Sequence, residues 1–206
     1  GGPDEGEDVD RLPRTIWSLL DPPVQTLLAR LSLFPREFSI EAAEAICGDP
    51  EHTSGPDARV QGCSLLWALK ELWSLRIIRP VGEDRFRHVE PLRRHAAWML
   101  ALPERGARGE SARVGPLASR RAEWFLGLLE RGLLLAATGD VQAMAPWLRQ
   151  VDGDIESIEA SLGDLASRPE GAPRLARAIV ALRHYWWACG PGTRAWPWCQ
   201  KALERL

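Results

Sequence analysis

Apolar residues return at helical spacing through most of the chain. Val24, Leu27, Leu28 and Leu31 fall at i, i+3, i+4 and i+7, which predicts one amphipathic helix over 23–33, restarted after the Asp21-Pro22-Pro23 stop. Phe34-Pro35-Arg36-Glu37-Phe38 breaks that helix. Ser39 then caps a second helix over 40–47, which ends at Gly48. Residues 48–62, rich in Gly, Pro, Asp and Ser, predict a loop. A third helix over 64–75 carries Leu65, Leu66, Leu69, Leu72 and Trp73 on its apolar side. Two extended runs follow, 77–81 and 85–89, and Gly82-Glu83-Asp84 joins them as a β-hairpin. A further helix over 91–102 completes the first half. Three helices followed by a hairpin is the order of a winged helix.

The Gly- and Arg-rich segment 104–115 marks a boundary. Past it the pattern is helical throughout, over 116–135, 140–150, 154–166, 174–189 and 194–206. Ile155, Ile158, Leu162 and Leu165 make one stripe, and Leu175, Ile179, Leu182 and Trp186 make another. Antiparallel helix pairs with short joints are the unit of helical solenoids. Residues 1–10 combine acids with glycine and lack apolar periodicity, so they predict a solvated leader or linker. The expected fold is mostly α: leader 1–10, a winged-helix domain with a small hairpin over 11–103, linker 104–115, and a helical repeat domain over 116–206.

Composition narrows the function. At 206 residues, with 26% charged and 45% hydrophobic, the chain can bury a core without metals or disulfides. The longest apolar run, 96–102, falls far short of the roughly 20 residues that span a bilayer. With no apolar signal peptide either, a cytoplasmic setting without membrane contact is expected. A net charge of −2 gives no overall attraction to phosphate backbones or anionic lipid. Lys70 and Lys201 are the only lysines. A P-loop needs Gly-Lys-[Ser/Thr], yet these follow Leu69 and Gln200, so the chain carries no P-loop. Cys47, Cys63, Cys189 and Cys199 include no C-x-x-C pair. The set Cys47, His52 and Cys63 is one ligand short of a zinc site, and reduced thiols are the simpler reading.

No catalytic motif is present. Gly190-Pro191-Gly192-Thr193-Arg194-Ala195 follows a helix and is an interhelix turn, unlike a phosphate-binding loop after a strand. Asp152, Asp154, Glu156 and Glu159 are read as a solvated helix start favoured by the dipole, in preference to metal-binding carboxylates. A DNA-reading third helix would need exposed cations. The 64–75 helix offers Lys70 beside Glu71 and is otherwise mostly apolar, including Trp67, so it is read as buried packing. Arg79, Arg85 and Arg87 on the hairpin could touch phosphates but are flanked by Glu83 and Asp84. Most of the 10 tryptophans fall at core-like positions. The group Tyr185, Trp186, Trp187, Trp196 and Trp198 is the candidate partner or ligand surface. The chain starts without Met, and its last helix spreads Trp196, Trp198, Cys199, Ala202, Leu203 and Leu206 over more than one face. An excised fragment that continues into further helical repeats, with the aromatic group at their seam, is therefore expected.

Several stretches carry a family resemblance. Thr15-Ile16-Trp17-Ser18-Leu19-Leu20, the run from Leu27 to Pro35, and Phe38-Ser39-Ile40-Glu41-Ala42-Ala43-Glu44-Ala45-Ile46-Cys47 resemble the winged-helix segment of STAND signalling ATPases of the NB-ARC type. Many bacterial members of that class are transcriptional regulators. Phe86-Arg87-His88-Val89-Glu90-Pro91-Leu92-Arg93 continues the likeness. Arg120 to Leu126, Tyr185-Trp186-Trp187 and Trp198 to Arg205 are similar to the TPR-like helical repeats that follow the winged helix. The resemblance implies a non-catalytic regulatory piece of a larger switch, with no cofactor of its own. An upstream P-loop domain would hold ADP or ATP with Mg, the winged helix would close over it at rest, and the helical array would receive an effector ligand or protein. Relatives place a Met-His-Asp triplet at the end of the wing. The Leu92-Arg93 register sets His88 at the methionine, Val89 at the histidine and Glu90 at the aspartate. The histidine is thus displaced by one residue, onto the opposite face of the strand. His88, Val89, Glu90 and Arg93 are the implied nucleotide-proximal residues of the parent protein. The alternative is a stand-alone winged-helix regulator that binds DNA.

Overall fold

The computed structural model describes residues 5–48, 65–102, 111–190 and 192–204. The chain is mostly helical, with one small three-stranded antiparallel sheet. It divides into two compact units, residues 1–117 and 118–206.

The first unit runs α1 (Glu5–Leu19), α2 (Pro22–Leu31), β1 (Glu37–Ser39), α3 (Ile40–Cys47), α4 (Leu65–Ser74), β2 (Ile78–Pro80), β3 (Arg85–His88) and α5 (Glu90–Ala101). Local chemistry sets several of these boundaries. Pro22 and Pro23 open α2, where a missing N–H costs nothing. Ser39 Oγ accepts the Ala42 N–H at 3.1 Å and caps α3 as predicted. Residues 5–10, within the stretch read as a leader or linker, form the opening turns of α1. Acidic residues suit a helix N-terminus, so a lack of apolar periodicity there did not exclude a helix.

The segment predicted only as a break, 34–38, contributes most of β1. That strand pairs with β3, Phe38 opposite Phe86, and β3 pairs with β2 in the predicted hairpin, giving the order β1-β3-β2. Phe38 is fully buried, with ring centroids 5.4 Å from Phe34, 6.0 Å from Phe86 and 5.0 Å from His88.

A correction concerns α4. Ala68, Leu69 and Leu72 are buried, but Leu66, Trp67 and Trp73 are exposed, because a run apolar on every side exceeds the one face that a helix packs. The helix ends in a Schellman motif. Arg76 N–H donates to Trp73 O and Ile77 N–H to Leu72 O, both at 2.9 Å, and buried Ile77 packs toward buried Leu72. Arg76 takes the left-handed conformation there, φ 60°.

His52, Cys63 and nearly all of the predicted 48–62 loop lie outside the described residues, and with them the Cys47, His52, Cys63 constellation. Cys47 itself is buried. Among the described residues no group of three or more His, Cys, Asp and Glu could hold a metal ion. No helix among them is long and apolar enough to cross a membrane.

The second unit holds α6 (Ser111–Thr138, from residue 118 on), α7 (Val141–Ser167), a 3₁₀ turn (Pro169–Gly171), α8 (Ala172–Ala188), a second 3₁₀ turn (Gly192–Arg194) and α9 (Trp196–Leu203). Helix α6 starts before the predicted 116, taking Pro116 into its interior. Asp140 caps α7, its carboxylate accepting the N–H groups of Gln142 at 2.9 Å and Ala143 at 3.0 Å. The helices predicted at 140–150 and 154–166 are one. Gly153 costs only about 1 kcal/mol inside a helix, and Trp147, Val151, Ile158, Leu162 and Leu165 form a continuous buried stripe across it. The acidic group at 152–159 therefore lies within a helix and is no helix start. Asp154, 1% exposed, faces inward. The helix predicted at 194–206 forms only from Trp196, after the 3₁₀ turn. Trp147 lies against Gly132 of α6, its Nε1 donating to Leu128 O at 2.8 Å.

Two substitutions test this packing by urea midpoint. Arg76→Gly relieves the left-handed strain and is expected to stabilise the first unit by about 1 kcal/mol. Gly132→Ala gains helix propensity, but its Cβ overlaps the anchored Trp147 ring. A net destabilisation of about 1–3 kcal/mol is expected.

Candidate functional site

His88, Val89, Glu90 and Arg93 fall where β3 turns into α5. The alternation of the strand puts Arg87 outward and His88 inward. Val89, half-buried, is the N-cap position of α5. Its N–H donates to Ile77 O at 3.1 Å, and its carbonyl accepts from the N–H groups of Leu92 at 3.0 Å and Arg93 at 3.1 Å. Glu90 is exposed on the first turn. Arg93 grips its carboxylate with two hydrogen bonds, Nε at 2.9 Å and Nη2 at 2.8 Å. The Nη1 of Arg93 also donates to Ser32 O at 3.3 Å, which ties α5 to the end of α2. These Arg93 hydrogen bonds hold the Glu90 carboxyl below its ordinary value and raise the guanidinium above its own.

The position of His88 is of another kind. Burial pushes its pKa from 6.5 down to about 4, and the Arg93 charge adds to the shift. The Leu31 backbone and the Glu90 charge oppose it weakly. Neither ring nitrogen makes a well-formed hydrogen bond, and the ring lies against Phe38. The four residues are thus contiguous but divided in role. Glu90 and Arg93 present a neutralised ion pair near the surface, while a neutral His88 fills the core.

The aromatic group does not form one surface. Tyr185 and Trp186 are 3% and 5% exposed, whereas Trp187 is 90% and Trp196 63% exposed. Consecutive residues on α8 are turned by about 100°, so Trp187 leaves the face that buries its two predecessors. Tyr185 OH donates to Asp152 Oδ1 at 2.7 Å, and burial together with that carboxylate raises its pKa. Trp198 is half-buried, with Lys201 Nζ 4.6 Å from its ring centroid, a cation–π contact.

On the hairpin, Arg87 donates to Glu37 through Nε at 2.9 Å, and Arg85 approaches the same carboxylate at 3.9 Å. Arg79 is directly across the ladder from Arg87. Sequence reasoning missed the exposed Leu66, Trp67 and Trp73 around Lys70 on α4. It also missed Trp98 on α5, half-exposed, whose ring follows His95 at 5.7 Å, with Trp17 at 5.6 Å on the other side of that histidine. A helical-wheel count of α4, which assigns only one face to packing, shows that an apolar side must stay exposed but does not say which.

Compared with known proteins, the chain matches no family model, no curated protein and no solved structure.

The burial of His88 predicts a pH dependence with a definite sign. Unfolded, the ring takes a proton near 6.5; folded, it does so only near 4. Acidification through that window protonates the unfolded chain first, so stability is full above about 6.5 and falls toward pH 4. Between pH 7 and pH 5 the loss attributable to this group is about 2 kcal/mol. Urea titrations at the two pH values, compared with those of His88→Phe, check it. The variant should lose that part of the slope.

Proposed function

We propose that this chain is a non-catalytic regulatory segment of a STAND-type nucleotide-switch ATPase. Residues 11–103 act as a winged helix that docks on an upstream P-loop domain, and residues 116–206 open a TPR-like helical array that receives an effector ligand or protein. The observation that carries this reading is the order α2, β1, α3, α4, β2, β3, with β1 completing the hairpin into a β1-β3-β2 sheet. A winged helix has that order, and most of the stretches that carry the resemblance lie on these elements. Downstream, long helices joined by short turns suit a helical array.

In this reading ADP or ATP and Mg belong to the upstream domain, and the switch works in the cytoplasm. The Glu90–Arg93 pair contributes a fixed surface at the start of α5. His88 supports the wing from inside and reads no phosphate. Docking biases a two-state equilibrium between closed and open arrangements. The DNA-binding alternative is less favoured. The exposed side of α4 presents Leu66, Trp67, Trp73 and Ser74 around one cation, Lys70. Affinity for duplex requires several phosphate contacts, whereas that face suits a protein.

The test is to read the coding sequence upstream of residue 1, purify the longer product and assay extracted nucleotide. A Gly-x-x-x-x-Gly-Lys-[Ser/Thr] motif and co-purifying ADP are expected, while calorimetric titration of the 206-residue chain with ADP or ATP gives no binding. A gene without a P-loop, or micromolar nucleotide binding by this chain alone, defeats the proposal. Sequence-selective DNA binding in the nanomolar range that survives moderate salt moves the conclusion to the alternative.

A further inference from the structure

Within the second unit, α6 and α8 border a groove of about 470 Å³. Leu133 and Leu134 line it from α6, Ala176 and Val180 from α8, and Glu130 and Arg177 flank it. Leu134 is 70% and Val180 50% exposed, so the groove presents apolar surface to solvent. The charges beside it are sorted by helix. In the ion pairs that bridge the two helices, α6 supplies the acid and α8 the arginine, Glu123 with Arg174 at 3.7 Å and Glu130 with Arg177, while Arg131 of α6 is exposed beside Glu130. Exposed pairs of this kind add little to the stability of a single chain.

Their arrangement does specify an occupant. Consider a second copy laid face to face on this groove. A two-fold axis parallel to the seam sets α6 of one copy over α8 of the other. Each glutamate then faces an arginine at its own level, and Leu134 meets Val180. A two-fold across the seam sets α6 over α6, acid against acid. The surface is therefore self-complementary in one isologous arrangement and self-repelling in the other. We propose that this groove is the interface of a homodimer with its two-fold axis along the α6–α8 seam, Glu130 of each chain pairing with Arg177 of its partner. Apolar contact between Leu134 and Val180 supplies the attraction, and the charge rows fix the register.

Sedimentation equilibrium of the 206-residue chain tests this. A concentration-dependent dimer is expected, and Leu134→Asp should raise its dissociation constant about tenfold or more. The decisive arm uses charge. Glu130→Arg and Arg177→Glu each place like charges across the two-fold, so each protein alone should lose self-association. Mixed together they restore both pairs and should form a heterodimer. The double variant should dimerise by itself. Circular dichroism must show each variant as helical as the parent, with Val180→Glu replacing Leu134→Asp if the latter does not fold. A chain that stays monomeric up to about 100 μM overturns the proposal. So does a dimer indifferent to these substitutions, failure of the folded charge variants to pair on mixing, or a dimer abolished by Trp196→Ser, which would place the contact at the exposed aromatic end.

Discussion

Much of the first unit depends on the insertion of one ring. Phe38 reaches the interior only because three residues, Glu37 to Ser39, adopt a strand against β3. That pairing has consequences on both faces. Inward, Phe38 gathers Phe34, Phe86 and His88 around it. Outward, Glu37 is set beside Arg85 and Arg87. At its end, Ser39 is left in the extended conformation that an N-cap requires, so the same strand also starts α3. The low basicity of His88 belongs to this packing too, since the imidazole is one wall of the Phe38 pocket.

Legibility in the sequence followed the range of the interaction. Caps and turns are local, and the Ser39 cap and the Gly82-Glu83-Asp84 turn were readable from a few neighbouring residues. Stripes are nearly as local. Leu175, Leu182 and Trp186 placed the inner face of α8, and the same stripe could have separated Trp186 from Trp187. The strand β1 was not readable. Three residues show too little alternation, and their partner is 50 positions away. Exposure on α4 was unreadable for the opposite reason, because a helix apolar all round does not say which side finds a neighbour. Of the candidate residues, His88 was legible through the alternation of its strand, while the embrace of Glu90 by Arg93 rests on a helix start one residue earlier than the pattern predicted.

The second unit solves its packing with small and polar residues. Gly132 admits the Trp147 ring, and Ser157, Ser161 and Asp154 lie buried along α7 beside Ile158 and Leu162. Arg121, also buried, donates to Asp164 at 2.7 Å. Buried ionic groups add little net stability but penalise arrangements that leave them unpaired. The Arg121–Asp164 pair is thus part of what fixes one helix against the next.

The two units also differ in how far along the chain their contacts reach, which has a kinetic meaning. In the second, α7 packs on α8 and α8 on α9, so most of that packing can grow as consecutive helices form, with the α6–α8 and α7–α9 contacts closing afterwards. The β1–β3 ladder must instead close a loop from Glu37 to Arg87, and its entropy is spent before any strand contact rewards it. The sheet is accordingly the late step in folding. A ribosome would have to release residues well past β3 before Phe38 could be covered. Until then the strand that carries Phe38 is the one most open to unwanted pairing.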